Sequence, residues 1–179
     1  MSSSKFSAEV IANAQRTERE YGVPASVTLA QYALESGYGT SGHAKNHNNY
    51  FGMMGANNGR YYMSGGRKWQ EFSSLAESFT AHAKLLAGSK SSSLTAGTSN
   101  VNDYIDAIAD TYAPPEDGNE NYTGKLKSII RTNNLTQYDT GDAFKKSEPY
   151  VPYTGSTSGF TKTETTENSK KEQSQEIME

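Results

Sequence analysis

The chain has 179 residues, enough for one domain with a hydrophobic core and too few for two domains of average size. Hydrophobic residues make up 34% of it and the formal net charge is -3, so part of the chain is expected to lie outside any core, and the charge argues against a nucleic-acid-binding groove. Cysteine is absent, which excludes disulfides and Cys-ligated zinc, and no apolar run approaches the roughly 20 residues of a membrane span.

Two helices are predicted near the N-terminus. Ser7 can cap a first helix that runs to about Tyr21, with apolar residues at helical spacing. After a Gly-Val-Pro turn, a second helix is expected to begin near Ser26 and to end at Gly37. Glu35 therefore lies in the last turn of the second helix, beside a glycine-rich exit.

The helical period disappears over residues 43–72, where asparagine, glycine and tyrosine dominate. Two short runs that contain aromatic residues, 60–63 and 68–72, lie on either side of Ser64-Gly65-Gly66. Runs of this kind around a glycine-rich turn are typical of a hairpin. The sequence therefore predicts a small β-hairpin lobe here.

Helical patterns resume after the hairpin. Residues 74–77 have the S-x-x-E form of a capping box and predict a helix start, whereas residues 88–100 are rich in Ser, Thr and Gly and predict a loop. A further helix is expected from Val101 to just before Pro114, and a last one over about 121–132.

The composition changes after residue 140. Residues 141–179 are rich in Ser, Thr, Lys and Glu and hold almost no aliphatic residues, so they are not expected to fold alone. We therefore expect a domain over 1–140 and a polar tail over 141–179 that docks on a protein partner. The apolar groups that would anchor the tail are Phe144, Tyr150, Val151, Pro152, Tyr153 and Phe160.

A family resemblance is carried by residues 29–39, Leu-Ala-Gln-Tyr-Ala-Leu-Glu-Ser-Gly-Tyr-Gly. They resemble the LAQxALESGWG segment of glycoside hydrolase family 73, the glucosaminidases of autolysins, flagellar muramidases and phage lysins. Further segments resemble, in order, the NNLFGIK, FRxYSSxxESF and YATDPxYAxKL elements of that family: Asn48–Gly52, Trp69–Ser74 with Glu77–Phe79, and Tyr112-Ala113 with Tyr122 and Leu126. The resemblance covers about residues 8–135.

The resemblance implies a lysozyme-like α+β fold, with a helical lobe, a small β-hairpin lobe opposite, and a cleft between them. It implies cleavage of a β-1,4 bond in the glycan strands of peptidoglycan, on the N-acetylglucosamine side, without a cofactor. Other readings remain open: a muramidase or lytic transglycosylase that uses the same acid, or a glycan-binding structural module that has lost catalysis.

Glu35 is the expected general acid. A glycosidic oxygen is a poor leaving group until it is protonated, and a carboxyl in a partly apolar pocket keeps its proton near neutral pH because desolvation disfavours the anion. The negative end of the helix dipole acts in the same direction. The resemblance also places Tyr112 opposite this acid, where it would position the substrate or the attacking water.

The resemblance further implies that the Asn49–Gly52 run shapes the floor of the sugar cleft, with Phe51 packed behind it, although such a run also suits a plain turn. The predicted substrate-binding residues are Ser36, Tyr38, Asn49, Tyr50, Phe51, Gly52 and Tyr122.

A second carboxylate is harder to assign. No Asp or Glu occurs between Glu35 and Glu71, so Glu71 is the candidate, and its place in the strand motif favours an outward or rim position. Two-carboxylate mechanisms separate the pair by roughly 5 Å for retention and roughly 6.5–9.5 Å for inversion. Without such a partner, the substrate's own N-acetyl group could assist, or an anhydro sugar could be released.

Three further expectations concern metals, loops and origin. His43 and His47 have metal-ligand spacing only on a helix, which their Gly/Asn-rich surroundings argue against, and His82 is expected on a helix surface. The acids of Pro114–Asn119 are expected to be solvated. The N-terminus lacks a secretory signal pattern, which favours an enzyme of a phage tail over an exported bacterial enzyme.

Overall fold

The structure is a computed structural model, in which residues 5–112 and 121–145 are described. In order along the chain, the elements are α1 (Ala8–Tyr21), α2 (Ala25–Ser36), α3 (Gly42–His47), β1 (Tyr61–Ser64), β2 (Arg67–Gln70), α4 (Leu75–Ala87), α5 (Ser89–Thr95), α6 (Val101–Tyr112), α7 (Tyr122–Thr132), and two 3₁₀ turns, Leu135–Tyr138 and Asp142–Phe144.

The two N-terminal helices begin and end close to their predicted limits. Ser7 Oγ accepts a hydrogen bond from the backbone N–H of Val10 over 3.2 Å, and Gly22 ends α1 in the left-handed conformation at φ 71°. Helix α2 ends in the same way at Gly37, with φ 56°. Both helix predictions are confirmed.

Helix α2 is the central element of the helical lobe. It packs against α1, α6 and α7, and its residues are buried from Ala25 through Ala33. A helix that is covered on nearly all sides has no solvent-facing side for charged residues, which explains why α2 lacks the charged outer face of α1. Glu35 lies at the end of this buried helix.

The β-lobe is the predicted hairpin. Strands β1 and β2 pair antiparallel with Tyr62 opposite Trp69 and Ser64 opposite Arg67, which leaves Gly65-Gly66 as a two-residue turn. Both glycines have positive φ, 57° and 74°, as the favoured hairpin turns require.

Two stretches predicted to be irregular are helical, so those predictions are wrong. Helix α3 forms because Ser41 Oγ accepts from the N–H of Ala44 and Asn48 adopts the left-handed conformation that ends it. Helix α5 lies inside the predicted loop 88–100 and packs against α4 and α6, with Ser91 only 5% exposed. Tertiary packing overrides the weak helix propensity of a Ser-rich segment.

Helix α4 begins as predicted, at Ser74, whose hydroxyl accepts from the N–H of Glu77. The return bond of the capping box is displaced by one residue, because the Glu77 carboxylate accepts from the N–H of Ser73 instead of Ser74. The expectation that His82 lies on the surface of this helix is wrong, since its side chain is 0% exposed.

The packed unit continues to Lys145, past the predicted boundary at residue 140. Asp139 bonds the N–H and the hydroxyl of Ser26 over 2.6 and 2.9 Å, and so caps the N-terminus of α2 from far along the chain. Residues 146–179, which hold most of the predicted docking tail, lie outside the described residues. None of the described helices is long and apolar enough to cross a membrane.

Candidate active site

Glu35 is held in the last turn of α2, and the chain leaves that helix through a tight turn. Gly37, Tyr38 and Gly39 have positive φ of 56°, 57° and 78° in succession. The buried Ser36 hydroxyl donates to the carbonyl of Tyr32 and accepts from the N–H of Gly39 over 2.8 Å. Ser36 therefore stabilises the turn that presents Glu35. Its predicted substrate contact stays a prediction.

The loop after α3 brings backbone up to the Glu35 carboxyl. Gly52 has φ 62°, and a Cβ placed on it would lie 3.8 Å from Oε2 of Glu35. Asn49 holds this loop, because its side chain bonds both the N–H and the carbonyl of Met53 and also the carbonyl of Gln70, each over 2.9 Å. Asn49 is 1% exposed, so it holds the loop from beneath, and its part in a sugar cleft stays a prediction.

Aromatic rings line the base of the same region. Phe51 is buried as predicted and stacks on the His82 ring, with centroids 3.9 Å apart, and the Tyr50 ring stacks on that of Tyr32 at 5.6 Å. Tyr38 packs on Phe6, with ring centroids 5.4 Å apart. The roles of Tyr50 and Tyr38 in substrate binding stay predictions.

Tyr122, the first residue of α7, contacts the candidate acid through its side chain. Its hydroxyl donates to Oε1 of Glu35 over 3.3 Å and accepts from Nε2 of Gln31 over 3.0 Å. The other end of the Gln31 amide meets Nε2 of His82 over 3.0 Å. Three helices thus contribute to one hydrogen-bonded chain that ends on the Glu35 carboxyl.

The electrostatics of Glu35 suit an acid. Burial by the surrounding protein raises the pKa of Glu35, and the hydrogen bond from Tyr122 opposes part of that rise. The residue is nevertheless accessible to solvent. A carboxyl that is both surrounded by protein and accessible lies in a recess, where a substrate can reach it while bulk water solvates it poorly.

Tyr122 remains a phenol at any physiological pH. Burial raises its pKa, and the negative charge of Glu35 raises it further. It is therefore available as a donor to either charge state of the acid.

Glu71 lies apart from the hydrogen bonds that link His82, Gln31 and Tyr122 to Glu35. It lies in a cluster of aromatic and histidine side chains. Its Oε1 is 2.9 Å from Nδ1 of His47, whose ring stacks on Tyr62 with centroids 3.5 Å apart. The Glu71 side chain is 41% exposed, which is the rim position expected from the strand motif. A catalytic part for Glu71 stays a prediction.

The histidine pair does lie on a helix, since α3 spans His43 to His47. Each Nδ1 is engaged, by the Tyr62 hydroxyl for His43 and by Glu71 for His47. Within residues 5–112 and 121–145, no three His, Asp or Glu side chains are grouped so that they could hold a metal ion.

Tyr112 ends α6, but its side chain lies outside the described part of the structure, as do residues 114–119. Sequence reasoning missed Gln31 and His82. For Gln31 a signal existed: it precedes Glu35 by four residues on a helix and so lies on the same face. For His82 a signal existed too, because it lies three residues after Phe79 and four before Leu86, on the apolar face of α4.

Comparison with known proteins agrees with this arrangement. The profile of the family described as glucosaminidase, mannosyl-glycoprotein endo-beta-N-acetylglucosaminidase, matches residues 11–135. The chain belongs to the glucosaminidase family.

One relative is an autolysin of Enterococcus faecalis, 35% identical over 165 residues that cover 78% of this chain and 21% of the autolysin. The chain thus spans about a fifth of the length of that relative.

Among solved structures, the catalytic domain of the autolysin Auto from Listeria monocytogenes is 26% identical, with a TM-score of 0.62 over 73% of this chain and 84% of that domain. The glycoside hydrolase domain of FlgJ from Salmonella typhimurium, 23% identical, shares the fold with a TM-score of 0.56 over 71% of this chain and 94% of that domain. The predicted lysozyme-like α+β fold is confirmed, and the chain is a glycoside hydrolase domain.

Proposed function

We propose that this domain hydrolyses β-1,4 glycosidic bonds in the glycan strands of peptidoglycan, as an endo-β-N-acetylglucosaminidase with Glu35 as its general acid. The observation that carries the proposal is a solvent-accessible carboxyl whose pKa is raised by burial, set between the Tyr122 hydroxyl and the Gly52 backbone. The family match and the relatives named as autolysins supply the substrate class.

In the first step, protonated Glu35 would give its proton to the glycosidic oxygen while the bond to the anomeric carbon breaks. The electron pair of that bond stays on the leaving oxygen, and Glu35 becomes a carboxylate. Tyr122 donates to that carboxylate and so stabilises the product of proton transfer.

The second half of the reaction requires a group that stabilises the sugar cation or activates water. Glu71 is bonded to His47 at an exposed position, so we favour assistance by the substrate's own N-acetyl group over direct attack by Glu71. Tyr112 keeps its proposed role in positioning the substrate or the water.

The first test is the chemical nature of the ends released from purified peptidoglycan. A new reducing N-acetylglucosamine end supports the proposal. A reducing N-acetylmuramic acid end would indicate a muramidase, an anhydro end a lytic transglycosylase, and binding without release of any end a glycan-binding module.

The second test is Glu35→Gln, which removes the transferable proton and preserves the shape of the side chain. We expect the variant to fold normally and to lose lytic activity by about 10²–10⁴-fold in a turbidity assay. A variant that retains more than about a tenth of the wild-type rate would show that Glu35 is not the acid.

Delivery of the enzyme by a phage particle, with residues 141–179 as its tether, stays a prediction. Incorporation into particles of a chain shortened after Lys145 would test it, because this shortening leaves the packed unit intact.

A further inference from the structure

The hydrogen-bonded chain behind Glu35 is closed to water. Gln31 and His82 are 0% exposed and Tyr122 is 5% exposed, so solvent cannot replace a broken bond among them. The three contacts are of hydrogen-bond length: 3.0 Å from His82 to Gln31, 3.0 Å from Gln31 to Tyr122, and 3.3 Å from Tyr122 to Glu35. Gln31 and Tyr122 therefore form a continuous hydrogen-bonded path from His82 to the acid.

The direction of this chain depends on which end of the Gln31 amide faces Tyr122. In the assigned orientation the amide NH₂ donates to the Tyr122 oxygen, and the Tyr122 hydroxyl proton points at Glu35. In the reversed orientation the Tyr122 hydroxyl would donate to the Gln31 carbonyl, and a lone pair of the Tyr122 oxygen would face Glu35.

The tautomer of His82 decides which of these two amide orientations satisfies its contact with Gln31. Burial lowers the pKa of His82 to about 3, so the ring is neutral and carries one N–H. When that proton is on Nε2, it is donated to Oε1 of Gln31, which holds the carbonyl end toward His82 and the NH₂ end toward Tyr122.

We propose that Gln31 and His82 are positioning residues that orient the Tyr122 hydroxyl so that it donates to Oε1 of Glu35 and leaves the proton of the acid on Oε2. Oε2 is the oxygen beside Gly52, where the backbone comes close without a side chain between. The orientation itself is independent of the proposed function, whereas its consequence for catalysis rests on that function.

A purely structural role would make Gln31 one more buried polar group whose loss weakens the fold. Thr28 provides the matched comparison. It lies on the same helix, is 0% exposed, and its hydroxyl has no hydrogen-bond partner among the described residues. Thr28→Val is nearly isosteric and leaves the hydrogen bonds that link His82 to Glu35 unaltered.

The test is titration of the Glu35 carboxyl by ¹³C NMR in the full-length protein. Tyr122→Phe should raise the pKa of Glu35, because the Tyr122 bond holds it down. Gln31→Met should also raise the pKa of Glu35. The double variant, Gln31→Met with Tyr122→Phe, should have the same Glu35 pKa as Tyr122→Phe alone, since Gln31 acts through Tyr122. Thr28→Val should leave it unchanged.

Either of two results overturns the proposal: a Gln31→Met variant that titrates like Thr28→Val, or a double variant in which the two single shifts add. Far-UV circular dichroism on each variant checks that it is folded.

His82 is tested in the same titration by a pair of variants. His82→Leu removes the donor and should raise the pKa of Glu35, whereas His82→Gln keeps a neutral N–H near the position of Nε2 and should restore the wild-type value. If the two variants titrate alike, His82 does not orient Gln31.

The catalytic consequence is read from pH profiles on soluble glycan fragments. Gln31→Met should lower kcat by about 10-fold with little change in KM, and should move the alkaline limb of the profile upward in step with the NMR titration. Absence of hydrolysis by the wild-type protein would contradict the proposed function, while the titration would still decide the positioning role.

Discussion

The two carboxylates of the sequence motifs, Glu35 and Glu71, lie in contrasting surroundings. Glu35 is surrounded by protein and bonded by a neutral phenol, so its protonated form is favoured. Glu71 lies in a half-buried pair with His47 on the β-lobe, with its own side chain 41% exposed. Carboxyls in such different environments are suited to different tasks, and the raised pKa of Glu35 is what the proposed general acid requires.

We expect Glu71→Gln to reduce the lytic rate by less than about 10-fold, because an exposed carboxylate paired with His47 contributes little that a neutral amide cannot replace. Clearing of a cell-wall suspension measures the effect, with Glu35→Gln assayed in parallel. A loss as severe as that of Glu35→Gln would instead identify a two-carboxylate enzyme.

At the scale of elements, the exit turn of α2 determines where Glu35 lies. Three successive residues in the left-handed conformation reverse the chain, and a Cβ on Gly39 would come within 2.3 Å of the Tyr32 hydroxyl oxygen. Two of these three positions are glycine, the residue that adopts this conformation without strain.

Ser36→Ala should destabilise the fold by about 1–2 kcal/mol, because the N–H of Gly39 loses its acceptor, the buried Ser36 hydroxyl, in a part-buried turn. It should also lower the lytic rate of the folded protein, since the turn that presents Glu35 loosens. Urea unfolding and the turbidity assay measure the two effects.

The matched control is Thr40→Ala. The Thr40 hydroxyl also bonds within this turn, to the carbonyl of Gly37 over 2.7 Å, but it is exposed, so its loss should cost less than about 0.5 kcal/mol. Equal destabilisation by the two variants would show that Ser36 has no special part in the turn.

At the scale of the whole molecule, one buried carboxylate joins the two ends of the packed unit. Glu18 of α1 is 0% exposed and accepts hydrogen bonds from the backbone N–H groups of Ala25, Thr140, Gly141 and Ala143, over 2.8 to 3.3 Å. It thereby holds the C-terminal segment against the start of α2.

Glu18→Gln should destabilise the protein by about 2–3 kcal/mol, because an amide NH₂ would face N–H donors that have lost a charged acceptor. A chain ending at Thr140 should be destabilised in the same way, since it lacks two of these donors, whereas a chain ending at Lys145 should match the full-length protein. Thermal unfolding compares the three.

Glu20→Gln serves as the control on the same helix. Glu20 forms an exposed i,i+4 pair with Arg16, which should be worth only about 0.3–0.5 kcal/mol. If Glu18→Gln were no more destabilising than Glu20→Gln, the C-terminal segment would not depend on Glu18.

Local signals were sufficient for much of this protein. The hydroxyl of Ser7, the S-x-x-E start of α4 and the Gly65-Gly66 turn act over a few residues, so the elements that they begin or close could be predicted from the sequence. The motif around Glu35 likewise predicted a candidate acid, because its helix, its exit turn and its family resemblance are all contiguous in the chain.

Only the tertiary structure decided which distant groups meet. The contacts of Gln31 with His82 and Tyr122, and the caps that Asp139 and Glu18 provide, join residues far apart in sequence. The degree of burial is likewise decided by packing: the apolar spacing of α4 puts His82 on the inward face, but only the assembled helices enclose its side chain completely. The recess that raises the pKa of Glu35 exists only when the helices and the loop at Gly52 assemble, because desolvation depends on every neighbour at once.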